Sequence, residues 1–305
     1  MSNSLPDLLK RLYRSHRYGA FRFGHPLLRR LLGLFVPVRL VTRHRSGLWL
    51  ELDRRFGNQD TLFWTDGDIE PQLYWAIRTL VPIGGVFVDC GANVGLMGLL
   101  ARQYQMARVI FLEPHPRLAA SVQRNLELNG LTADCMLLQA AASDAPGEAA
   151  FYENPRLDGS HSLHADWEGG DATLLGSVKT TTLTAVVADL RLPVIDFLKV
   201  DTEGHDLAVL HGLKDRLRPD FTRVVYAEMG RDATAISELM TQAGYVGFSL
   251  RPMAHRAVVR TLLEFERGGP ADFFEPHDPS RCRGDVLWCG RESLEARFLS
   301  SPVPE

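Results

Sequence analysis

Three groups of polar residues have the types and spacing that ligand binding and catalysis require. The first is Asp89-Cys-Gly-Ala-Asn-Val-Gly95, which follows an apolar run and precedes a helical pattern. Glycines in such a strand-to-helix turn let the backbone approach a ligand closely. The second is Glu113, which ends the next apolar run, and the third comprises Asp201, Glu203 and His205.

The first two groups together predict a nucleoside site. Glu113 lies 24 residues after Asp89, where an acidic side chain can accept hydrogen bonds from both ribose hydroxyls. The turn contains no Lys or Arg that would offset the charge of a pyrophosphate, so a nucleoside without phosphates fits better. S-adenosylmethionine meets that requirement. The alternative is that both carboxylates merely cap helices.

The surrounding pattern predicts the elements that position these groups. Short apolar runs alternate with helical stretches from about residue 69, which is typical of a parallel sheet covered by helices. We predict strands at 86–89, 109–112, 136–140, 194–200, 223–227, 245–250 and 286–289, and helices at 94–105, 116–128, 206–213 and 236–243. Asp206 is expected to cap the third helix, and Gly130 to end the second. Segments 154–170 and 266–284 are predicted to be long loops. The composition, 45% hydrophobic and 23% charged over 305 residues, excludes a disordered or collagen-like chain.

Four segments in order carry a resemblance to a known family. VFVDCGANVG, FLEPHP, AAASDAPGE and FLKVDTEGHD resemble the FkbM family of class I S-adenosylmethionine-dependent methyltransferases across about residues 60–250. The resemblance implies an α/β fold of the Rossmann-like class I type, a three-layer sandwich with a mostly parallel seven-stranded sheet and an antiparallel final strand. It also implies S-adenosyl-L-methionine as cofactor and methyl transfer to an oxygen, usually a hydroxyl of a sugar or natural product.

The resemblance assigns the cofactor-binding residues position by position. Glu113 matches the acidic residue that binds the ribose, and Ser143 and Asp144 match the place where the adenine is met. Asp144 is equally well explained as a turn residue in Ser-Asp-Ala-Pro-Gly. The positions that match the methionyl site are Asp89, Gly91, Ala92, Asn93 and Gly95.

Asp201, Glu203 and His205 are the candidates for contacting the acceptor. Methyl transfer is an in-line displacement, and a neutral hydroxyl must lose a proton as it attacks, so positioning and a general base are needed. His205 has the side chain whose ordinary pKa is nearest neutrality, and the pKa of Asp201 or Glu203 would rise if the two lay close together. Alternatively, Glu203 bonds backbone amides around Gly204, and His205 is simply exposed. No metal is expected, and the four cysteines lack the spacing of a zinc site.

Further residues could face the acceptor. His161 and His164 occupy a segment rich in glycine and serine, which we interpret as acceptor-facing, with surface histidines as the alternative. Trp64, Asp66 and Trp167 could provide a stacking platform or a hydroxyl contact for a sugar. Core packing explains the tryptophans equally well.

Charge divides the chain into two expected parts. Residues 1–45 contain ten Lys or Arg and one acidic residue, Asp7, so this basic N-terminal helical appendage carries +9. The net charge of −3 then leaves −12 on residues 46–305, the expected methyltransferase domain. The appendage either lies on an anionic membrane surface or packs its leucines on the acidic remainder. The acidic body makes nucleic acid an unexpected partner.

The expected protein is cytoplasmic, with a peripheral position at the inner membrane face if residues 1–45 bind lipid. The expected partner is a small-molecule, sugar or lipid-linked hydroxyl acceptor. Two alternatives stay open: a catalytically silent scaffold that binds the cofactor inside a biosynthetic complex, and an N-methyltransferase of RNA or protein.

Overall fold

The computed structural model describes residues 4–18, 25–65, 70–153, 161–167, 172–250, 274–279 and 284–290. The helices are α1 (Leu5–Tyr18), α2 (His25–Gly33), α3 (Gly57–Thr65), α4 (Pro71–Leu80), α5 (Leu96–Gln105), α6 (Pro116–Asn129), α7 (Leu183–Asp189), α8 (Asp206–His211) and α9 (Ala233–Gln242). The strands are β1 (Arg39–Arg43), β2 (Trp49–Asp53), β3 (Val86–Cys90), β4 (Arg108–Leu112), β5 (Cys135–Leu138), β6 (Ala141–Ala142), β7 (Gly147–Glu153), β8 (His161–Ser162), β9 (Thr173–Thr181), β10 (Phe197–Val200), β11 (Val224–Met229), β12 (Tyr245–Leu250), β13 (Phe274–Pro276) and β14 (Gly284–Gly290).

The main sheet has the predicted Rossmann-like arrangement. Its order is β13-β12-β14-β11-β10-β3-β4-β5, with parallel pairing from β11 to β5. Strand β14 runs antiparallel between β11 and β12, so the seven predicted strands are present with the last one reversed. The short strand β13 adds an eighth at the edge, antiparallel to β12.

Alternation along the central strands builds two cores, one on each face of the sheet. In β3, Phe87 faces the core formed with α4, α5 and α6, whereas Val88 faces the core formed with α7, α8 and α9. Phe111 and Ile110 divide in the same way in β4. Successive side chains in a strand point to opposite faces, so these fully apolar runs require helices on both sides. The result is the predicted three-layer sandwich.

Element boundaries shift where the backbone cannot continue the predicted conformation. Helix α5 begins at Leu96 rather than at Val94 because Gly95, with φ of +81°, is its left-handed N-cap. Gly130 ends α6 as predicted, with φ of +63°. Asp206 is not the N-cap of α8: His205 holds that position, and the Asp206 carboxylate accepts from the amide and hydroxyl of Thr202 instead.

A second sheet was not predicted from the sequence. Strands β6, β9, β7 and β8 form a four-stranded sheet in that order, in which β7 and β9 make a long antiparallel pair. The predicted loops 154–170 and 266–284 lie partly outside the described residues. Where the structure describes them, β8 and β13 are strands, and β14 begins at the end of the second segment.

The N-terminal helices share the core of the helix layer formed by α4, α5 and α6. The ring of Tyr13 in α1 is buried and lies 5.1 Å from that of Trp64 in α3. Strands β1 and β2 form an antiparallel hairpin, and the predicted boundary after residue 45 falls in its turn. Within the parts of the chain that the structure describes, no helix combines the length and apolarity needed to cross a membrane.

Candidate active site

A cavity of about 300 Å³ opens at the carboxyl ends of β3, β4 and β10. This edge is where open α/β sheets bind ligands. Seven of the eleven predicted site residues line it: Gly91, Ala92, Asn93, Glu113, Asp201, Glu203 and His205. The fold therefore brings predicted residues that are up to 114 positions apart in the chain around one cavity.

Position 91 requires a glycine because the ends of β3 and β10 lie too close together for a side chain between them. Its φ is +75°, and a Cβ atom built there would lie 1.9 Å from the carbonyl oxygen of Asp201. The amides of Gly91 and Ala92 both donate to the carbonyl of Leu112, at 3.0 and 3.3 Å. The turn is thus fastened to β4 through its own amides. Asn93 contributes a different group to the cavity: its Oδ1 is buried and accepts no hydrogen bond.

Glu113 fixes the turn and faces the cavity at the same time. Its Oε2 accepts from the amide of Asn93 at 2.8 Å, and its Oε1 accepts from the amide of His115 at 2.9 Å. Burial raises the pKa of Glu113 to about 7, against the opposing effect of these two hydrogen bonds. Each carboxylate oxygen can accept more than one hydrogen bond, so the group can also bind ligand hydroxyls.

Asp89 and Gly95 support the turn from behind and do not line the cavity. The Oδ2 of Asp89 accepts from the amide of Gly98 in the first turn of α5, and burial raises its pKa. Its Oδ1 has no hydrogen-bond partner and lies 3.6 Å from the Nζ of Lys199. A Cβ atom on Gly95 would lie 3.1 Å from Val122. Their assignment to the methionyl site stays a prediction.

Lys199 joins the ends of the central strands, and its role was not predicted from the sequence. Its Nζ donates to the carbonyl of Gly91 at 3.2 Å and pairs with the Oδ2 of Asp201 at 3.0 Å. Burial opposes its charge, but Asp201, Asp89 and Glu70 outweigh that effect and raise its pKa. Asp201 therefore pairs with a buried ammonium group, not with Glu203. The one sequence feature that could have indicated this role is the position of the lysine inside the apolar run FLKV.

Glu203 holds the loop that follows β10 against β8. Its φ is +53°, its carbonyl accepts from the Ser162 hydroxyl at 2.7 Å, and its Oε2 accepts from the indole of Trp167 at 3.0 Å. Gly204 follows with φ of +88°, and a Cβ atom there would lie 2.4 Å from the Trp167 ring. Glu203 thus has a structural role. Its contact with the acceptor stays a prediction.

His205 lies in a row of hydrogen-bonded side chains and is not exposed. Its Nε2 is 2.9 Å from the Ser143 hydroxyl, and its Nδ1 is 3.1 Å from the Nε2 of His164. Burial and the neighbouring His164 lower its pKa. The Ser143 hydroxyl is also 3.1 Å from the Asp144 carboxylate. Ser143 and Asp144 do not line the cavity, whereas Ala141 and Ala142, just before them, do.

Glu70 is a further carboxyl group in the cavity that sequence reasoning missed. It precedes α4, makes no side-chain cap, and lines the cavity together with Tyr74, one turn later. Burial and the nearby Asp201 raise the pKa of Glu70 to about 8. Asn58 and Gln59 of α3 add amide groups on the same side. Because Glu70 is joined to no recognised motif, only the fold brings it near Asp201.

The remaining predicted acceptor contacts divide between cavity and core. His161 lines the cavity, with its ring stacked on Phe151 at 5.7 Å between centroids. Trp64 is fully buried, and Trp167 packs on Gly204, so both tryptophans are core residues and not a sugar platform. Asp66 lies outside the described residues.

No group of three His, Cys, Asp or Glu side chains in the described ranges is arranged to hold a metal ion. Cys90, Cys135 and Cys289 are free thiols, and burial raises the pKa of Cys135 to about 11. Cys282 lies outside the described residues.

The family model for the methyltransferase FkbM domain matches residues 89–247, just over half of the chain. Methyltransferase sdnD of Sordaria araneosa is 29% identical over 162 residues, which cover 44% of this chain and 62% of sdnD. Hexuronic acid methyltransferase AglP of Haloferax volcanii is 26% identical over 159 residues, which cover 52% of this chain and 62% of AglP. The chain thus spans about three-fifths of the length of these two relatives. Among solved structures, it is similar to M. jannaschii TYW2 in complex with AdoMet, with a TM-score of 0.43 and 12% identity over 83% of this chain and 86% of that one.

Proposed function

The chain belongs to the FkbM methyltransferase family, and from that premise we propose that it methylates a hydroxyl oxygen of a glycan, glycolipid or secondary metabolite. S-adenosylmethionine is the methyl donor of this family. The observation that carries the proposal is the buried Glu113 carboxyl group in the wall of the cavity, beside a turn whose glycine admits no side chain. Both lie at the sheet edge where a nucleoside would bind.

The residues of the cavity fit this cofactor. Glu113 offers acceptor oxygens for the two ribose hydroxyls, and the buried Asn93 Oδ1 offers an unused acceptor for the methionyl ammonium. Ala141, Ala142 and Phe151 form an apolar wall on which an adenine ring can pack. Under this proposal Asp89 and Gly95 maintain the shape of the turn. Ser143 and Asp144 follow the two alanines in the chain and support the adenine site without lining the cavity.

The bound cofactor supplies an electrophilic methyl group on a cationic sulfonium. The cavity wall would offer this cation the carboxylate of Asp201, which the ion pair with Lys199 holds in place. Apolar side chains such as Leu62, Met97 and Leu163 limit the access of water to the reacting atoms. Direct displacement then requires the acceptor oxygen to be aligned and to lose its proton.

We assign proton uptake to one of the carboxyl groups that line the cavity. Asp201 is neutralised by Lys199, both ring nitrogens of His205 are hydrogen-bonded, and Glu203 holds Trp167. Among the described residues, the Glu70 carboxyl group has no ion pair or side-chain hydrogen bond of this kind. A base acts best when its pKa lies near the working pH, which the raised pKa of Glu70 satisfies. Glu203 and His205 would then orient the acceptor, with Asp201 as the second candidate base.

The proposed partner is a small-molecule, sugar or lipid-linked hydroxyl acceptor. Because AglP is named a hexuronic acid methyltransferase, uronic acids are the first acceptor class to test. The charge of −12 on residues 46–305 disfavours nucleic acid. We propose a cytoplasmic position, with peripheral membrane contact through the basic N-terminal part, residues 1–45, and the methyltransferase domain in residues 46–305.

The test is methyl transfer from a methyl-labelled donor to a panel of acceptors. The panel contains uronic acids, neutral sugars, glycolipids and hydroxylated metabolites, together with RNA and peptides. The proposal predicts that the labelled methyl group is recovered as a methyl ether on a hydroxyl of one of the first four classes. Glu70→Gln should lower the rate at least about a hundredfold, the usual contribution of a general base.

Two results would contradict O-methyl transfer. Label found only on nitrogen of RNA or peptide would support the N-methyltransferase alternative. Tight cofactor binding without transfer to any acceptor in the panel would support the silent scaffold.

A further inference from the structure

The leucines of the two N-terminal helices divide between an inner and an outer side. In α1, Leu9 and Tyr13 pack on the core that contains Trp64. Leu5, Leu8 and Leu12 on the same helix remain 55%, 60% and 52% exposed. The sequence left two alternatives for these leucines, packing on the body or contact with a membrane. In α1 the structure packs Leu9 on the body and leaves the other three leucines exposed.

Helix α2 and the turn after it repeat this division. Leu28 and Leu32 pack against the core, whereas Leu27, Leu31 and, beyond the helix, Leu34 and Phe35 are exposed. Helices α1 and α2 pack against each other. Exposed apolar residues concentrated in this way mark interaction surfaces, whereas single exposed leucines need no explanation. We call the set Leu5, Leu8, Leu12, Leu27, Leu31, Leu34 and Phe35 the outer face.

The charge beside the outer face is positive. Arg11 is exposed between Leu8 and Leu12, and Arg30 is exposed between Leu27 and Leu31. Asp7 is the single acidic residue in positions 1–45, against ten basic ones. In a symmetric contact with a second copy of the chain, the exposed Arg11 and Arg30 of both copies would lie in one interface, which is repulsive. An anionic surface that also accepts apolar side chains is complementary to both features.

We propose that the outer face binds an anionic lipid membrane. Its leucines and Phe35 enter the membrane interface, and the neighbouring Arg11 and Arg30 bind lipid phosphates. Arginine side chains can extend to phosphates while their stems stay among apolar neighbours. This inference concerns a surface apart from the catalytic cavity, and membrane binding does not depend on methyl transfer.

The helices that carry the outer face are connected to the cavity through α3. Arg29 of α2 and Arg54 both bind the carboxylate of Asp60 in α3. The same helix α3 contributes Asn58 and Leu62 to the cavity wall. A membrane bound at α1 and α2 therefore lies one helix from the cavity. This extension rests on the proposed function, and among the proposed acceptors it favours a lipid-linked hydroxyl.

The test is co-sedimentation of the full chain with vesicles of phosphatidylcholine alone and with vesicles that also contain phosphatidylglycerol. Binding is expected for the anionic vesicles, and it should weaken as salt is added. Leu8→Ser with Leu31→Ser should weaken it about tenfold or more, because two apolar side chains no longer enter the interface. Arg11→Gln with Arg30→Gln should weaken it about thirtyfold.

Ile83→Ser with Met106→Ser is the matched control. It removes two exposed apolar side chains, 80% and 65% exposed, from a part of the chain outside the N-terminal helices. This control should bind like the wild type, and thermal melts should show that every variant is folded. The proposal is overturned if the wild type does not bind anionic vesicles, if the leucine variant binds equally well, or if the control loses as much. Calorimetric titration with S-adenosylhomocysteine reports separately on the cofactor site.

Discussion

At the scale of single residues, the site depends on carboxyl groups that are also structural. Glu113 fixes the turn through two backbone amides and leaves further acceptor capacity toward the cavity. Lys199 bonds the turn carbonyl and the Asp201 carboxylate, and thereby connects the ends of β3 and β10. A ligand that binds in this cavity therefore meets groups whose positions are already fixed, which reduces the ordering cost of binding.

Gly91→Ala tests the close approach of the two strand ends. The new Cβ would collide with the carbonyl oxygen of Asp201, so β3 and β10 must separate. We expect a loss of at least about 3 kcal/mol in the free energy of unfolding, measured by urea denaturation. Gly84→Ala is the control, because Gly84 has a similar φ of +72° and no atom within 4 Å of its Cβ position. Its cost should be only the backbone strain, about 1 kcal/mol. Equal losses in both variants would show that the close approach is unimportant.

Glu70 gives the proposed reaction a specific pH dependence. With a pKa of about 8, its basic form increases as the pH rises through that value. We therefore expect kcat/KM for an identified acceptor to rise about tenfold per pH unit below pH 8 and to level off above it. Glu70→Gln should abolish this rise while S-adenosylhomocysteine still binds. An unchanged profile in the variant would exclude Glu70 as the base.

At the scale of elements, two asparagines of α6 attach the β1–β2 hairpin to the main body. The Oδ1 of Asn125 accepts from the amide of Glu51 at 2.7 Å, and its Nδ2 donates to the carbonyl of Val94. Asn129 bonds the amide and the carbonyl of Trp49. Backbone groups of the hairpin, of the cavity turn and of α6 are therefore joined by side chains from a single helix.

Asn125→Ala should destabilise the protein because it leaves the Glu51 amide and the Val94 carbonyl without these partners. The expected loss is about 1–3 kcal/mol in the free energy of unfolding. Gln123→Ala on the same helix is the control, since Gln123 is exposed and its side chain donates to Glu127 on the helix surface. It should cost less than about 0.5 kcal/mol. A similar loss in both variants would contradict the attachment of the hairpin through Asn125.

Elements with strong local patterns were predicted well, and those that depend on distant partners were not. The apolar runs of β3, β4, β10, β11 and β14 identified the sheet because a strand buried on both faces must be apolar throughout. Strands β7 and β9 are mostly exposed, so they lack that signal, and their pairing is visible only in the fold. The apolar runs also located the strand ends, and with them Gly91, Glu113 and Asp201 at the cavity. Glu70 and the contact between His164 and His205 were missed because no local pattern connects residues so far apart.

At the scale of the whole molecule, the carboxyl ends of the strands gather acidic groups whose pKa values are raised by burial. Burial raises the pKa of Glu228 to about 9, with Asp201 and Glu203 adding to the effect, and burial raises the pKa of Asp206 to about 6. Glu113 and Glu70 behave in the same way. Between about pH 4.5 and 9 the folded protein therefore holds protons that the unfolded chain has released. Stability from these groups is complete below that range and is lost as the pH rises through it.

The free energy of unfolding is accordingly expected to decrease from pH 6 to pH 9, measured by urea denaturation. Glu228→Gln removes one of the groups, so its stability should decrease less steeply over this range. Glu238→Gln, an exposed residue of α9, should follow the wild type. The lowered pKa of Asp53, beside Arg55 and Arg39, acts in the opposite direction but only in more acidic solution. A flat profile in the wild type would contradict the account of these buried carboxyl groups.

The central claim is that the cavity binds the nucleoside of S-adenosylmethionine through Glu113. The most direct measurement is calorimetric titration with S-adenosylhomocysteine of the wild type and of Glu113→Ala, with thermal melts to verify folding. We predict tight binding to the wild type and at least about tenfold weaker binding to the variant, because hydrogen bonds from the ribose to a carboxylate are lost. A folded wild type that does not bind, or a folded variant that binds equally well, would contradict it.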